Sequence, residues 1–256
     1  MIGLPPGNIL QYLYIRQRVR KLKKAGKGSF VEVGAGNGYL SGLLLKAGFT
    51  GHGVDLNESA CENNRTNNAA AIASGAYSVH HGDFFGLDVK ADIIISSMVI
   101  EHLPEEDLDR YFQHCRSILN PNGVIITLVP ASMKYWGIED EIAGHMKRYE
   151  FEDFQQLESR HDLQLRHVSG LTFPLSNVFF GLSNRLVRKG ESDKLEMSQK
   201  EKTVYTGNRD VAYKTTFPTF LNIILNPVVM YPFHVLQMLF HRNRNSMVIY
   251  AELAKV

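Results

Sequence analysis

The stretch Phe30–Leu56, FVEVGAGNGYLSGLLLKAGFTGHGVDL, decides how the chain is read. It runs from an apolar, strand-like segment through glycines at 34, 36 and 38 into a helix-like segment, and then through a second strand-like segment to Asp55. Strand, glycine loop, helix and strand make one crossover unit of a parallel sheet. Because glycine has no Cβ, such a loop lets backbone N–H groups and a helix N-terminus come close to a ligand. The spacing is G-x-G-x-G, whereas the dinucleotide fingerprint needs G-x-G-x-x-G, which argues against a nicotinamide enzyme.

Outward from this stretch the alternation continues. Strands are predicted at 30–33, 51–55 and 77–81, with helices near 39–47 and 58–73. ADIIISSMVI (91–100) reads as a strand covered on both faces. Pro104 opens a helix whose first turn holds Glu105, Glu106 and Asp107. NPNG (120–123) reads as a turn, 124–129 as a buried strand, 151–160 as a helix and 163–170 as a strand; SMVIYAEL (246–253) closes the chain as a last strand.

A chain of 256 residues, 44% of them hydrophobic, can bury one large core. The net charge of +2 gives no global reason to expect nucleic acid, but it is unevenly placed: Arg16, Arg18, Arg20, Lys21, Lys23, Lys24 and Lys27 precede the first acid, Glu32. Cys61 and Cys115 lack metal-ligand spacing, and the N-terminus lacks the order of a signal peptide. A reduced, cytoplasmic chain is the expectation.

Two acids define the ligand further. Asp55, ending the second strand, can accept hydrogen bonds from both hydroxyls of a ribose, and Asp83 in GDFF, after the third, can accept from an adenine amine. Together they outline an adenosine with an amino-acid tail.

Here VEVGAGNG, GVDL, GDFF and SSMVIEHLPEEDLDRYFQHCRSILNPNGVIITLVP resemble the class I S-adenosylmethionine-dependent methyltransferases, most closely the small-molecule, ubiquinone-biosynthesis-like branch. The resemblance covers roughly Phe30 to Val168 and the final strand. It implies an α/β fold: a Rossmann-like, mostly parallel seven-stranded sheet with an antiparallel last strand and helices on both faces. It also implies S-adenosyl-L-methionine as cofactor and S-adenosyl-L-homocysteine as product. Gly34, Gly36 and Gly38 would line the methionine part, with Glu32 supporting its amino group. Asp55 would hold the ribose, Leu56 would flank the adenine, Asp83 and Phe84 would bracket it, and Ser97 and Met98 would lie beneath the cofactor. No metal is expected.

Methyl transfer asks the protein to align a nucleophile, exclude water and, where needed, remove a proton. His102, in IEHLP after the fourth strand, and His145, in GIEDEIAGHMKRYE after the fifth, are the candidate bases, with Arg148 and Tyr149 beside the second. The second stretch resembles a G-H-x-R-R-Y element of this branch and departs from it at Lys147. Glu139, Asp140, Glu141 and His145 could coordinate a metal in principle, but the acids read first as a solvated face.

The expected organisation is an N-terminal basic helix or cap (1–28), a core (29–170 with 246–256) and a helical insertion covering the acceptor (171–245). The polar stretch 188–210 reads as a lid. Residues 217–240 contain no Lys, Arg, Asp or Glu, a length that could span a bilayer, but Pro218, Pro227 and Pro232 break it. The expectation is a helical hairpin over an apolar acceptor or against a membrane surface, with the amphipathic 9–27 segment as a second contact or a cap. The expected partner is a small or lipid-linked acceptor rather than nucleic acid, at the cytoplasm or the inner membrane surface. A protein or nucleic-acid methyltransferase and a non-catalytic S-adenosylmethionine-binding regulator are the competing readings.

Overall fold

The strands are β1 (Ser29–Val33), β2 (Thr50–Asp55), β3 (Tyr77–His81), β4 (Ala91–Ser97), β5 (Leu119–Pro130), β6 (Leu163–Leu171) and β7 (Val248–Lys255) in the computed structural model, which describes residues 4–191 and 217–255. They form one sheet in the order β3-β2-β1-β4-β5-β7-β6. Six strands run parallel and the last runs antiparallel, with helices on both sides. The helices are α1 (Pro6–Lys24), α2 (Tyr39–Lys46), α3 (Glu58–Asn67), α4 (Ala69–Ala73), α5 (Glu105–Ile118), α6 (Ile138–Ala143), α7 (Phe151–Arg160), α8 (Leu175–Glu191) and α9 (Tyr231–Leu239).

Two compact units share the chain. A sheet unit comprises 16–129, 151–168 and 250–256, and an insertion unit comprises 1–15, 130–150 and 169–249. The division passes through α1 and places 130–150 with the insertion. Most of the stretch expected as a lid, 192–210, lies outside the described residues.

In the sheet unit, Ile93, Ile94 and Ile95 of β4 are fully buried, as a central parallel strand requires. Helix α5 adds Leu108, Tyr111, Phe112, Cys115 and Ile118, a single apolar stripe at helical spacing. Two local expectations are corrected. The helix expected at 58–73 is divided at Asn68, whose backbone leaves helical geometry (φ −116°, ψ 21°) while its side chain turns inward to Gly38 O at 3.0 Å and Asn64 Oδ1 at 2.9 Å. Asparagine readily exchanges helix continuity for such a bond. The NPNG turn is absorbed into β5: Leu119 pairs with Ala91 and Val124 with Ile93, so the four residues bulge from an otherwise continuous ladder.

In the insertion unit, Ile9, Leu10 and Met230 form a buried cluster, packed by Leu4, Leu13, Leu175 and Leu225. Gln237 ties it together, donating to Leu10 O at 3.0 Å and accepting from Thr172 N at 2.9 Å.

Candidate active site

The neighbours of β1 are β2 on one side and β4 on the other, so strand order reverses at its carboxyl end. Open α/β sheets bind ligands at such a point. The three loop glycines all have left-handed backbones, with φ 67°, 49° and 76° at 34, 36 and 38. They are not equivalent. A Cβ at 36 would meet nothing within 4 Å, whereas one at 38 would lie 2.1 Å from Asn64 Oδ1. Position 36 therefore faces open space, while position 38 is a packing constraint.

Asp55 ties this loop to the end of β2. Its Oδ2 accepts from Gly36 N at 2.7 Å and its Oδ1 from Asn57 N at 2.8 Å. The next residue, Leu56, is 59% exposed, an apolar side chain set on the rim of a polar loop. Asp83 is exposed and accepts from Phe85 N at 3.0 Å, capping a short 3₁₀ turn. Phe84 turns the other way: it is buried, with its ring 5.5 Å from Tyr111 and 4.7 Å from His114. Ser97 ends β4 half-buried, and Met98 follows with a left-handed φ of 56°, its N–H donating to Leu128 O at 2.9 Å.

Glu32 sits behind the loop, buried. The Ser41 hydroxyl donates to its Oε2. Tyr77 donates to Ser41 Oγ at 2.7 Å, Asn64 Nδ2 to the Tyr77 hydroxyl at 3.1 Å, and Asn68 Nδ2 to Asn64 Oδ1 at 2.9 Å. Every donor in this chain points toward Glu32. Since Asn68 also holds Gly38 O, the chain fixes the last turn of the glycine loop. Gly53 makes room for it, as a Cβ there would lie 2.1 Å from the Tyr77 hydroxyl. Burial pushes the Glu32 carboxyl up to about 8, against the Ser41 hydrogen bonds and with the help of the Asp55 charge. Nothing in the sequence patterning marked Ser41, Asn64, Asn68 or Tyr77, because hydrogen-bonding pairs distant in sequence leave no periodic signal.

The two candidate bases belong to different units. His102 closes a 3₁₀ turn after β4, half-buried in the sheet unit. In the insertion unit His145 Nδ1 lies 2.8 Å from Asp140 Oδ1. Asp140 also accepts from Arg148 Nε at 2.8 Å, Arg148 Nη2 at 3.0 Å and Gly137 N at 2.8 Å. Asp140 is fully buried, which corrects its expected place on a solvated acidic face. Burial pushes its carboxyl up, but the His145 and Arg148 hydrogen bonds, the Arg148 charge and the Gly137 N–H hold it below its ordinary range. Arg148 is buried too and donates to Ala131 O at 3.2 Å. Tyr149 is buried, and its backbone bridges Pro130 O and Ser132 N. Arg148 and Tyr149 thus hold the segment in place, and Asp140 is the group that meets the His145 ring. An acid five residues before His145 and eight before Arg148 was the available signal for Asp140.

A protein-family profile described as a methyltransferase domain matches residues 9–168, more than half of the chain. The chain belongs to the methyltransferase domain family. The chain is 28% identical over 146 residues to a ubiquinone biosynthesis O-methyltransferase of Pasteurella multocida, covering 51% of the chain and 57% of that protein. It is 33% identical over 101 residues to an uncharacterised methyltransferase of Bacillus cytotoxicus, covering 39% of the chain and 45% of that protein. The chain thus spans about half the length of the curated relatives it matches. Among solved structures it is similar to magnesium protoporphyrin IX methyltransferase of Synechocystis with bound S-adenosylhomocysteine, with a TM-score of 0.54 at 18% identity over 65% of this chain and 78% of that one. A protein of Galdieria sulphuraria, provisionally named a sarcosine dimethylglycine methyltransferase, aligns over 95% of this chain and 86% of its own with a TM-score of 0.57 at 15% identity. At these identities the structures establish the class I methyltransferase fold.

Proposed function

We propose that this protein transfers a methyl group from S-adenosyl-L-methionine to a small hydrophobic acceptor. The observation that carries the reading is Asp55: a carboxylate at the end of β2, bound to the backbone on both sides of the loop, between the open cradle at Gly36 and the exposed Leu56. These residues fit the donor. Asp55 would accept from the ribose hydroxyls, Leu56 would cover an adenine face, Asp83 would take its amine, and the N–H groups around Gly36 would meet the amino-acid tail. The bound sulfonium supplies an already activated methyl carbon, so the protein's own work is alignment and proton removal.

His145 is the proposed base. An ionised Asp140 would accept a hydrogen bond from Nδ1–H, which leaves Nε2 as the ring atom to take a proton from the acceptor. His102 is the second candidate. The name of the Pasteurella relative supports an oxygen nucleophile on a hydrophobic ring as the first acceptor class to try.

Calorimetry with S-adenosylmethionine tests the assignment. Asp55→Ala should cost about 1.5–3 kcal/mol of donor affinity, the worth of hydrogen bonds to a charged group. Unchanged affinity would reject the role of Asp55. Transfer of labelled methyl to hydroxylated aromatic or lipid-linked acceptors should follow donor binding; tight donor binding with no turnover on any of them would favour a regulator instead.

A further inference from the structure

Helix α9 in the insertion unit is built inside out. Its buried residues are His234 and Gln237, in line with Met230 before it, at positions i, i+4 and i+7 of one face. Tyr231, Val235 and Leu239, spaced by four on the other side, are exposed. A helix against water places these types the other way round. The segment leading to α9 is alike, with Ile223 78% and Val228 82% exposed, and Leu239 at its end 73% exposed. This is more than scattered surface hydrophobicity.

The same unit shows what meets this surface. Along one face of α8, Val178 (75% exposed) and Leu182 give way to Arg185 and Lys189, with Phe179 and Arg188 flanking. At 1.5 Å per residue the change from apolar to cationic spans roughly 10 Å. That is close to the depth, about 5–10 Å, to which interfacial helices sink below lipid headgroups. Arg242 and Arg244, both exposed, follow α9. Within residues 169–191 and 217–249, which carry this surface, Glu191 is the single acid; the unit's other described acids, Glu139, Asp140, Glu141 and Glu150, lie in 139–150. A second copy of the chain would meet these cations with cations, whereas an anionic bilayer complements them. No described helix is long and apolar enough to cross a membrane. Helix α1 buries its apolar residues, among them Ile9, Leu10, Ile15 and Val19, so it offers lipid no apolar face.

We infer that residues 220–240 and the start of α8 form a docking surface for an anionic lipid bilayer, entered by the apolar side chains and held by the arginines and lysine. The surface lies wholly in the insertion unit, and its test does not depend on the methyl-transfer reading.

The full chain should co-sediment with vesicles of phosphatidylcholine mixed with phosphatidylglycerol, more weakly with phosphatidylcholine alone, and less as salt rises. The triple variant Ile223→Glu/Val228→Glu/Leu239→Glu should lose roughly tenfold or more of vesicle affinity. Arg185→Glu/Lys189→Glu should lose the preference for anionic vesicles. An unchanged circular dichroism spectrum and melting temperature report that the variants fold, and the milder Leu239→Ser repeats the measurement should the triple variant fail to. The inference falls if the wild type binds neither vesicle, or if the apolar variants bind as well as the wild type. It also falls if light scattering finds a dimer that the triple variant dissolves, which would give the surface to a second copy.

Discussion

Glu32 in the sheet unit and Asp140 in the insertion unit are both removed from solvent, yet their environments ask for opposite charge states. Glu32 meets a serine hydroxyl at the end of a chain of neutral donors, and burial moves it up to about 8. Asp140 meets a guanidinium through two bonds, a histidine and a backbone N–H, and stays below its ordinary range. Burial penalises both carboxylates; the partner decides which remains ionised. At neutral pH the first is a neutral structural acid behind the glycine loop, and the second is an anion that holds the His145 ring.

Breaking the ionic member of this pair should have the larger effect. Asp140→Asn leaves buried Arg148 without its counter-charge, a loss of about 3–5 kcal/mol for a severed buried pair. It also puts an uncharged amide, able to present an N–H, where a carboxylate accepts from His145 Nδ1, so the ring can settle in the other tautomer and methyl transfer should fall by roughly 10²–10⁴ if His145 is the base. Denaturant unfolding and single-turnover rates read the two effects separately. In the wild type the stability due to Asp140 is present above its unfolded pKa near 3.8 and is lost only as pH drops through its lower folded value. An Asp140→Asn protein as stable as wild type at pH 7 would mean that the ion pair contributes nothing.

The neutral member predicts the reverse pH dependence. Because the folded value of Glu32 is raised from 4.5 to about 8, its contribution is fully present below 4.5 and is lost as pH rises toward 8. The wild type should therefore melt lower at pH 9 than at pH 6 by an amount that Glu32→Gln removes, since the amide keeps an acceptor for Ser41 and cannot ionise. Thermal melts of both proteins at the two pH values suffice. Parallel melting curves would show that Glu32 is not held neutral.

This contrast explains what the sequence could and could not disclose. The crossover order and the glycine loop were legible because short-range spacing encodes them. The antiparallel last strand came through resemblance. The break at Asn68 was missed because its cause is a bond to Gly38, thirty residues away. Asp140 was misplaced for a related reason: in GIEDEIAGH three consecutive acids look alike, and the arginine that draws the middle one inward follows His145 by three positions. The charge-free run 217–240 was visible, but the inversion of α9 was not, because periodicity reports two faces without saying which one a fold will bury.

The smallest expected effect separates the hydrogen-bond chain from the burial that raises Glu32. Tyr77→Phe removes a hydroxyl that donates to Ser41 at 2.7 Å and accepts from Asn64 at 3.1 Å, and puts nothing polar in its place. The direct cost should be about 1 kcal/mol, the low end for a buried polar group left unsatisfied: Asn64 Nδ2 loses its acceptor, while Asn64 Oδ1 keeps the bond from Asn68. Loosening Asn64 and Asn68 should relax the turn at Gly38, and with it weaken donor binding by less than about tenfold, in keeping with that cost. Yet the phenyl ring leaves Glu32 as buried as before, so the fall in melting temperature between pH 6 and pH 9 should survive. If the substitution abolishes that fall, burial is not what keeps Glu32 neutral, since the hydroxyl chain itself favours the ionised carboxylate. If donor affinity does not change, the chain does not reach the glycine loop.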